Sequence, residues 1–173
     1  MKVHFTDRLE IRSAEAKDGS AVWQLVKEAG TLDVNSPYCY IMLCDIFRDT
    51  CAAAVIGEEL VGFMSGYRRP DRPDTLFIWQ VAVHRKARGR GIAKAMLNEL
   101  LNREEQQAVK YVEATIGPAN TASRRLFSGF AADKGAQCRI TEKYGPELFP
   151  SGASHEPELM FRIGPMRREE TRI

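Results

Sequence analysis

Apolar and polar positions along the chain repeat in two rhythms. Leu9-Glu10-Ile11-Arg12 alternates with period two, which predicts a strand. Val22, Leu25, Val26 and Ala29 recur at helical spacing, with Asp18 placed to cap that helix and Gly30 to end it. Residues 31–37 have a loop composition, after which Ser36 and Pro37 open a second helix through Tyr40, Leu43, Cys44 and Phe47. Residues 51–56 and 60–67 read as two strands joined by a turn at Gly57-Glu58-Glu59, and residues 68–74, with two prolines, read as a loop. Residues 75–83 are almost all apolar, which predicts a central strand buried on both faces. Ile92, Met96, Leu100 and Ala93, Leu97, Leu101 form two helical rows. A strand at 111–116, a short helix at 120–130 and strands at 137–141 and 158–163 complete the order β-α-α-β-β-β-α-β-α-β-β. This is a mixed α/β class with about four helices. A single domain is expected over residues 1–164, followed by a charged, disordered tail at 165–173.

Composition narrows the function classes. The 173 residues suit one domain, and 44% hydrophobic residues suffice for a core. A net charge of +2 argues against a general nucleic-acid binder. No apolar run reaches the ~18 residues of a membrane span, and residues 1–7 lack the apolar centre of a secretory signal. Cys39, Cys44, Cys51 and Cys138 form no C-x-x-C pair and have no histidine cluster beside them, so reduced structural thiols in a cytoplasmic protein without a metal are expected.

The chemistry is densest at Val81-Ala82-Val83 and Arg88-Gly89-Arg90-Gly91-Ile92-Ala93-Lys94. A buried strand that ends in a basic, glycine-rich turn and opens a helix is an anion site. Helix N-terminal N–H groups point outward, and the helix dipole favours negative charge there. Neither G-x-x-x-x-G-K-[ST] nor G-x-G-x-x-G is present, which excludes the familiar nucleotide loops. The R-x-x-G-x-A pattern instead resembles the pyrophosphate-binding motif of the GNAT superfamily of N-acetyltransferases, and the element order resembles that fold over residues 8–163. The resemblance implies acetyl-CoA as co-substrate and a mostly antiparallel sheet splayed between strands 4 and 5. It places the pantetheine arm against the backbone near Val81 and Val83, and the pyrophosphate on the N–H groups from Gly89 to Lys94.

Asn120-Thr121-Ala122-Ser123-Arg124-Arg125-Leu126-Phe127 resembles a second GNAT signature, in which Asn120, Ser123 and Phe127 would lie along the cofactor. Asn120 is equally suited to capping its helix. Two departures matter. Many GNAT enzymes have a tyrosine at the position of Phe127, where it protonates the leaving thiolate. The usual general base is also missing, because one face of the fourth strand carries Phe77, Trp79, Val81 and Val83. The catalytic groups must then come from the polar loops at 31–40 and 142–158.

Residues 32–40, with Leu43, Cys44 and Phe47, resemble one branch of the superfamily, the L-2,4-diaminobutyrate acetyltransferases of ectoine biosynthesis. So do Phe149-Pro150-Ser151-Gly152, His155-Glu156 and Glu158. This implies acetyl transfer to the terminal amine of a diamino acid by a cytoplasmic homodimer, without nucleic acid or membrane. Carboxylates and an aromatic wall suit a cationic amine. Asp33, Tyr38, Tyr40, Trp79, His155 and Glu158 are therefore the candidate substrate residues, with Asp33 or Glu158 as proton acceptor. Each has a plainer role open to it: turn residue for Asp33, core for Trp79, packing for Tyr38 and Tyr40, solvated surface for His155 and Glu158. Competing readings are another small-amine acetyltransferase, acting on a polyamine or an aminoglycoside, and a non-catalytic CoA-binding module. An acyl-cysteine route through Cys39 or Cys44 lacks a neighbouring histidine base.

Overall fold

The computed structural model describes residues 8–152 and 154–167. In chain order they form β1 (Leu9–Ser13), α1 (Gly19–Ala29), α2 (Pro37–Asp45), β2 (Ala52–Ile56), β3 (Glu59–Arg69), β4 (Arg72–Val83), α3 (Ile92–Asn102), β5 (Tyr111–Ile116), α4 (Thr121–Asp133), β6 (Cys138–Tyr144) and β7 (Glu158–Ile163). This is the predicted order. The strands are arranged β1-β2-β3-β4-β5-β7-β6. β4 and β5 pair in parallel, whereas β1–β2, β2–β3, β5–β7 and β6–β7 pair antiparallel. A parallel pair needs a crossover connection, and α3 lies in it. The β4–β5 ladder runs from Thr75↔Tyr111 to Ile78↔Ala114 and stops there. Beyond it β4 continues to Val83 and β5 to Ile116.

The described chain divides into two compact units, 8–67 with 79–107 and 68–78 with 108–167. In the first, Val22, Leu25 and Val26 of α1, Tyr40, Leu43 and Cys44 of α2, and Phe63 and Ala82 of the strands share one core. The start of α2 is as predicted. Ser36 Oγ accepts the Cys39 N–H at 3.2 Å, and Pro37 occupies the first turn. Such a cap contributes about 1 kcal/mol. α2 ends at Asp45 rather than continuing through Phe47, which is exposed. Asp18 also departs from expectation: its side chain caps no N–H of α1. Its carboxylate instead accepts from the Glu15 N–H at 2.8 Å and from Arg12 at 2.7 and 3.0 Å. Burial raises the Asp18 pKa, but these donors outweigh it and hold the net value below the usual carboxylate range.

The second unit is built on β5 and β7, with Val112, Ala114, Phe127, Phe130, Phe161 and Ile163 buried. The expected loop at 68–74 is instead a tight hairpin. β3 ends at Arg69 and β4 starts at Arg72, with Pro73 inside the strand. Arg68 Nε donates to the Pro73 carbonyl at 2.7 Å, and Arg69 grips Asp71 at 2.6 and 2.9 Å. α4 runs three residues past Phe130, to Asp133, and β6 extends to Tyr144, so the second polar loop is shorter than predicted. Within the expected tail, the Met166 N–H donates to the Lys110 carbonyl at 2.8 Å. Residues 168–173 lie outside the described residues, as do residues 1–7.

Candidate active site

The segment expected to form the cradle lies at the end of β4 and the start of α3. Val81 and Val83 are half-buried and Ala82 is buried. A 3₁₀ turn at Arg85–Ala87 follows, and Arg88 Nε donates back to the Val83 carbonyl at 3.0 Å. Gly89 and Gly91 have φ of +76° and +73°, a left-handed conformation that costs an L side chain roughly 1–2 kcal/mol. A Cβ built at either position meets nothing within 4 Å. The glycines are therefore required by backbone conformation, and the space over them is open. Gly91 caps α3 without a side-chain hydrogen bond. The first-turn N–H groups of Ile92 and Ala93 have no intrahelical acceptor, and Arg88, Arg90 and Lys94 lie on the same short segment. An open, uncapped and positively charged helix start fits a bulky phosphate anion.

The Asp33 segment belongs to the same unit and is tied to β4. Gln80 precedes Val81 and is 5% exposed. Gln80 Nε2 donates to the Asp33 main-chain carbonyl at 2.8 Å, and Gln80 Oε1 accepts from Tyr40 Oη at 3.1 Å. Tyr40 Oη itself accepts the Asn35 N–H at 3.2 Å. Tyr40 is fully buried, so it supports the loop from beneath. The Asp33 side chain is exposed, Tyr38 is 67% exposed and Trp79 is 44% exposed. The expectation that β4 is buried on both faces along its whole length is corrected here. It holds at Thr75–Ile78 and fails at Trp79, whose ring lies open beside the buried Gln80.

In the second unit Asn120 Oδ1 accepts the Ser123 N–H at 3.1 Å, so its capping role is realised. Phe127 is buried in α4. The His155 ring stacks on Phe149 with centroids 3.6 Å apart, and His155 Nδ1 lies 2.6 Å from the Glu156 carbonyl. Glu156 Oε2 accepts the Ala119 N–H at 3.2 Å, joining this segment to the turn before α4. Glu158 begins β7, half-buried and opposite Tyr144. Cys44 gives the covalent route no support. Burial pushes the Cys44 and Cys51 thiols up to about 12, so both stay protonated at neutral pH.

Two functional-looking buried polar residues escape a reading of the pattern alone. Gln80 is an amide inside an apolar run, and a buried amide requires partners. That was the available signal. Glu113, 1% exposed, is the other. It pairs with Arg69 at 2.6 Å, with Arg72 at 3.6 Å and with Arg162.

A strand that opens through two left-handed glycines onto a helix start without a side-chain cap is a built anion cradle. The chain belongs to the acetyltransferase (GNAT) family, whose family model matches residues 20–130. Within that family its similarity is narrower. It is 44% identical over 158 residues to the L-2,4-diaminobutyric acid acetyltransferase of Halalkalibacterium halodurans, covering 91% of this chain and 82% of that one. It is 44% identical over 162 residues to the enzyme of the same name from Shouchella clausii, covering 94% and 90%. Its fold matches the diaminobutyrate acetyltransferase of Paenibacillus lautus, solved in complex with its substrate L-2,4-diaminobutyric acid and coenzyme A. That match has a TM-score of 0.90 and 47% identity, over 95% of this chain and 99% of that one.

Proposed function

We propose that the protein transfers the acetyl group of acetyl-CoA to the 4-amino group of L-2,4-diaminobutyrate, giving N4-acetyl-L-2,4-diaminobutyrate and CoA for ectoine synthesis. The observation that carries the acetyl-CoA half is the open Gly89–Gly91 turn on the uncapped start of α3. The acceptor rests on similarity along nearly the whole chain to enzymes of that name. The pyrophosphate sits on the N–H groups from Gly89 to Lys94, with Arg88 and Arg90 adding charge. Asn120, Ser123 and Phe127 lie along the cofactor.

Reaction requires a neutral amine, and at a lysine-like pKa of ~10.4 well under one amine in a thousand is neutral at pH 7. A carboxylate near the amine favours its charged form, so binding and deprotonation pull in opposite directions. Asp33 and Glu158 are the carboxylates assigned to the cationic substrate, with Trp79, Tyr38 and His155 as further candidates. One of the two carboxylates accepts the proton, directly or through water. The amine nitrogen attacks the thioester carbon, a C–N bond forms, the C–S bond breaks and the thiolate leaves. An N–H near Val81 stabilises the oxyanion. Phe127 has no proton to give, so the thiolate is protonated by another acid or by solvent. The active form is a cytoplasmic homodimer. Among the described residues, no helix is long and apolar enough to cross a membrane.

Thiol release from acetyl-CoA, measured with 2,4-diaminobutyrate, ornithine, lysine and spermidine, tests this reading. Diaminobutyrate is expected to give the highest kcat/KM. Asp33→Ala and Glu158→Ala are each expected to lose most turnover with CoA binding retained. A preference for spermidine, no release with any amine, or full activity in both variants would contradict it.

A further inference from the structure

We infer that Gln80 is a positioning residue for the acceptor amine: from inside β4 it fixes the backbone that presents Asp33. The inference rests on the reading of Asp33 as an acceptor-binding group.

The hydrogen bonds assign the amide without ambiguity. The Asp33 carbonyl can only accept, so the nitrogen of Gln80 faces it, at 2.8 Å. Gln80 Oε1 then faces Tyr40, whose hydroxyl donates to it at 3.1 Å. The hydroxyl's lone pairs receive the Asn35 N–H at 3.2 Å. One side chain therefore holds both sides of the segment, the Asp33 carbonyl directly and the Asn35 N–H through Tyr40. The main-chain N–H of Gln80 is anchored in turn to Ser65 Oγ of β3 at 3.2 Å. Gln80 and Tyr40 are 5% and 0% exposed, so water does not readily replace these bonds.

Gln80 is also the residue immediately before Val81, at the head of the strand end assigned to the cofactor. The segment bearing the acceptor carboxylate is thus measured off the same strand that holds the acyl donor. Glutamine donates to Asp33 and accepts from Tyr40 at once, whatever the pH. Glutamate accepts from Tyr40 but sets a carboxylate against the Asp33 carbonyl, and methionine leaves both partners without a bond.

The test compares Gln80→Glu, Gln80→Met, Tyr40→Phe and Asp33→Ala with the wild type, in steady-state kinetics on diaminobutyrate and in calorimetric acetyl-CoA binding, on protein whose circular dichroism is unchanged. Gln80→Glu and Gln80→Met are expected to lower amine kcat/KM on the order of tenfold or more, the loss expected when a buried hydrogen bond is removed. Acetyl-CoA affinity is expected to stay within about twofold. Tyr40→Phe is expected to give a smaller amine defect, and its combination with Gln80→Met less than the sum of the two losses, because they share one network. If Gln80→Met misfolds, Gln80→Glu and Tyr40→Phe carry the test. Wild-type amine kinetics in both Gln80 variants, or an equal loss of acetyl-CoA affinity, would overturn the positioning role. Full amine turnover in Asp33→Ala would instead overturn the acceptor-site reading itself, and the positioning role with it.

Discussion

Three guanidiniums converge on the carboxylate of Glu113, from Arg69 and Arg72 at the β3–β4 hairpin and from Arg162 on β7. Burial raises its pKa, but hydrogen bonds from Arg69 and Arg162 outweigh that and hold it below the usual carboxylate range. A carboxylate with a depressed folded-state pKa contributes stability that is complete above its unfolded value and is lost as pH falls through the folded one. Glu113→Gln is therefore expected to lower Tm at pH 7, at about 3 kcal/mol for a broken buried pair, and the two Tm curves should converge on acidification. Parallel curves would contradict the assignment. Asp33, Trp79 and Glu158 stand out in the sequence by residue type and by resemblance. Gln80 and Glu113 do not, because each matters through partners far away in the chain: Gln80 through Asp33 and Tyr40, Glu113 through Arg69 and Arg162.

Among the elements, the joint between β4 and α3 was legible almost to the residue, because a run of apolar residues, two glycines and a helical row are each local signals. The β3–β4 hairpin was not. Pro70 and Pro73 suggested a loop, but Pro73 sits in the strand, and the Arg68 and Arg69 side chains bind across the turn. Side-chain bonds of that kind have no periodicity to read. Asp18 departs from expectation for a similar reason, since the side chain of Arg12, six residues earlier, claims the carboxylate that would otherwise cap α1. At the joint itself, Gly91→Ala meets no neighbouring atom but forces a φ of +73° on an L residue. The strain of roughly 1–2 kcal/mol should shift the turn, raising the acetyl-CoA KM about tenfold with the amine KM little changed. An unchanged acetyl-CoA KM would place the phosphate elsewhere.

For the molecule as a whole, element order was readable because each strand and helix carries its own hydrophobic rhythm. The strand order β1-β2-β3-β4-β5-β7-β6 was not readable in this way, since pairing between distant strands leaves no mark on spacing. Function divides in the same way. In the proposed function the donor rests on the local geometry of the cradle at Gly89–Lys94. The acceptor rests on the Asp33 loop, on the His155–Glu158 segment and on similarity to enzymes named for diaminobutyrate. The most direct test is nuclear magnetic resonance of the product formed from acetyl-CoA and L-2,4-diaminobutyrate, with the acetylated nitrogen assigned. The account predicts a single product acetylated at N4; acetylation at N2, a mixture of the two, or no product would contradict it.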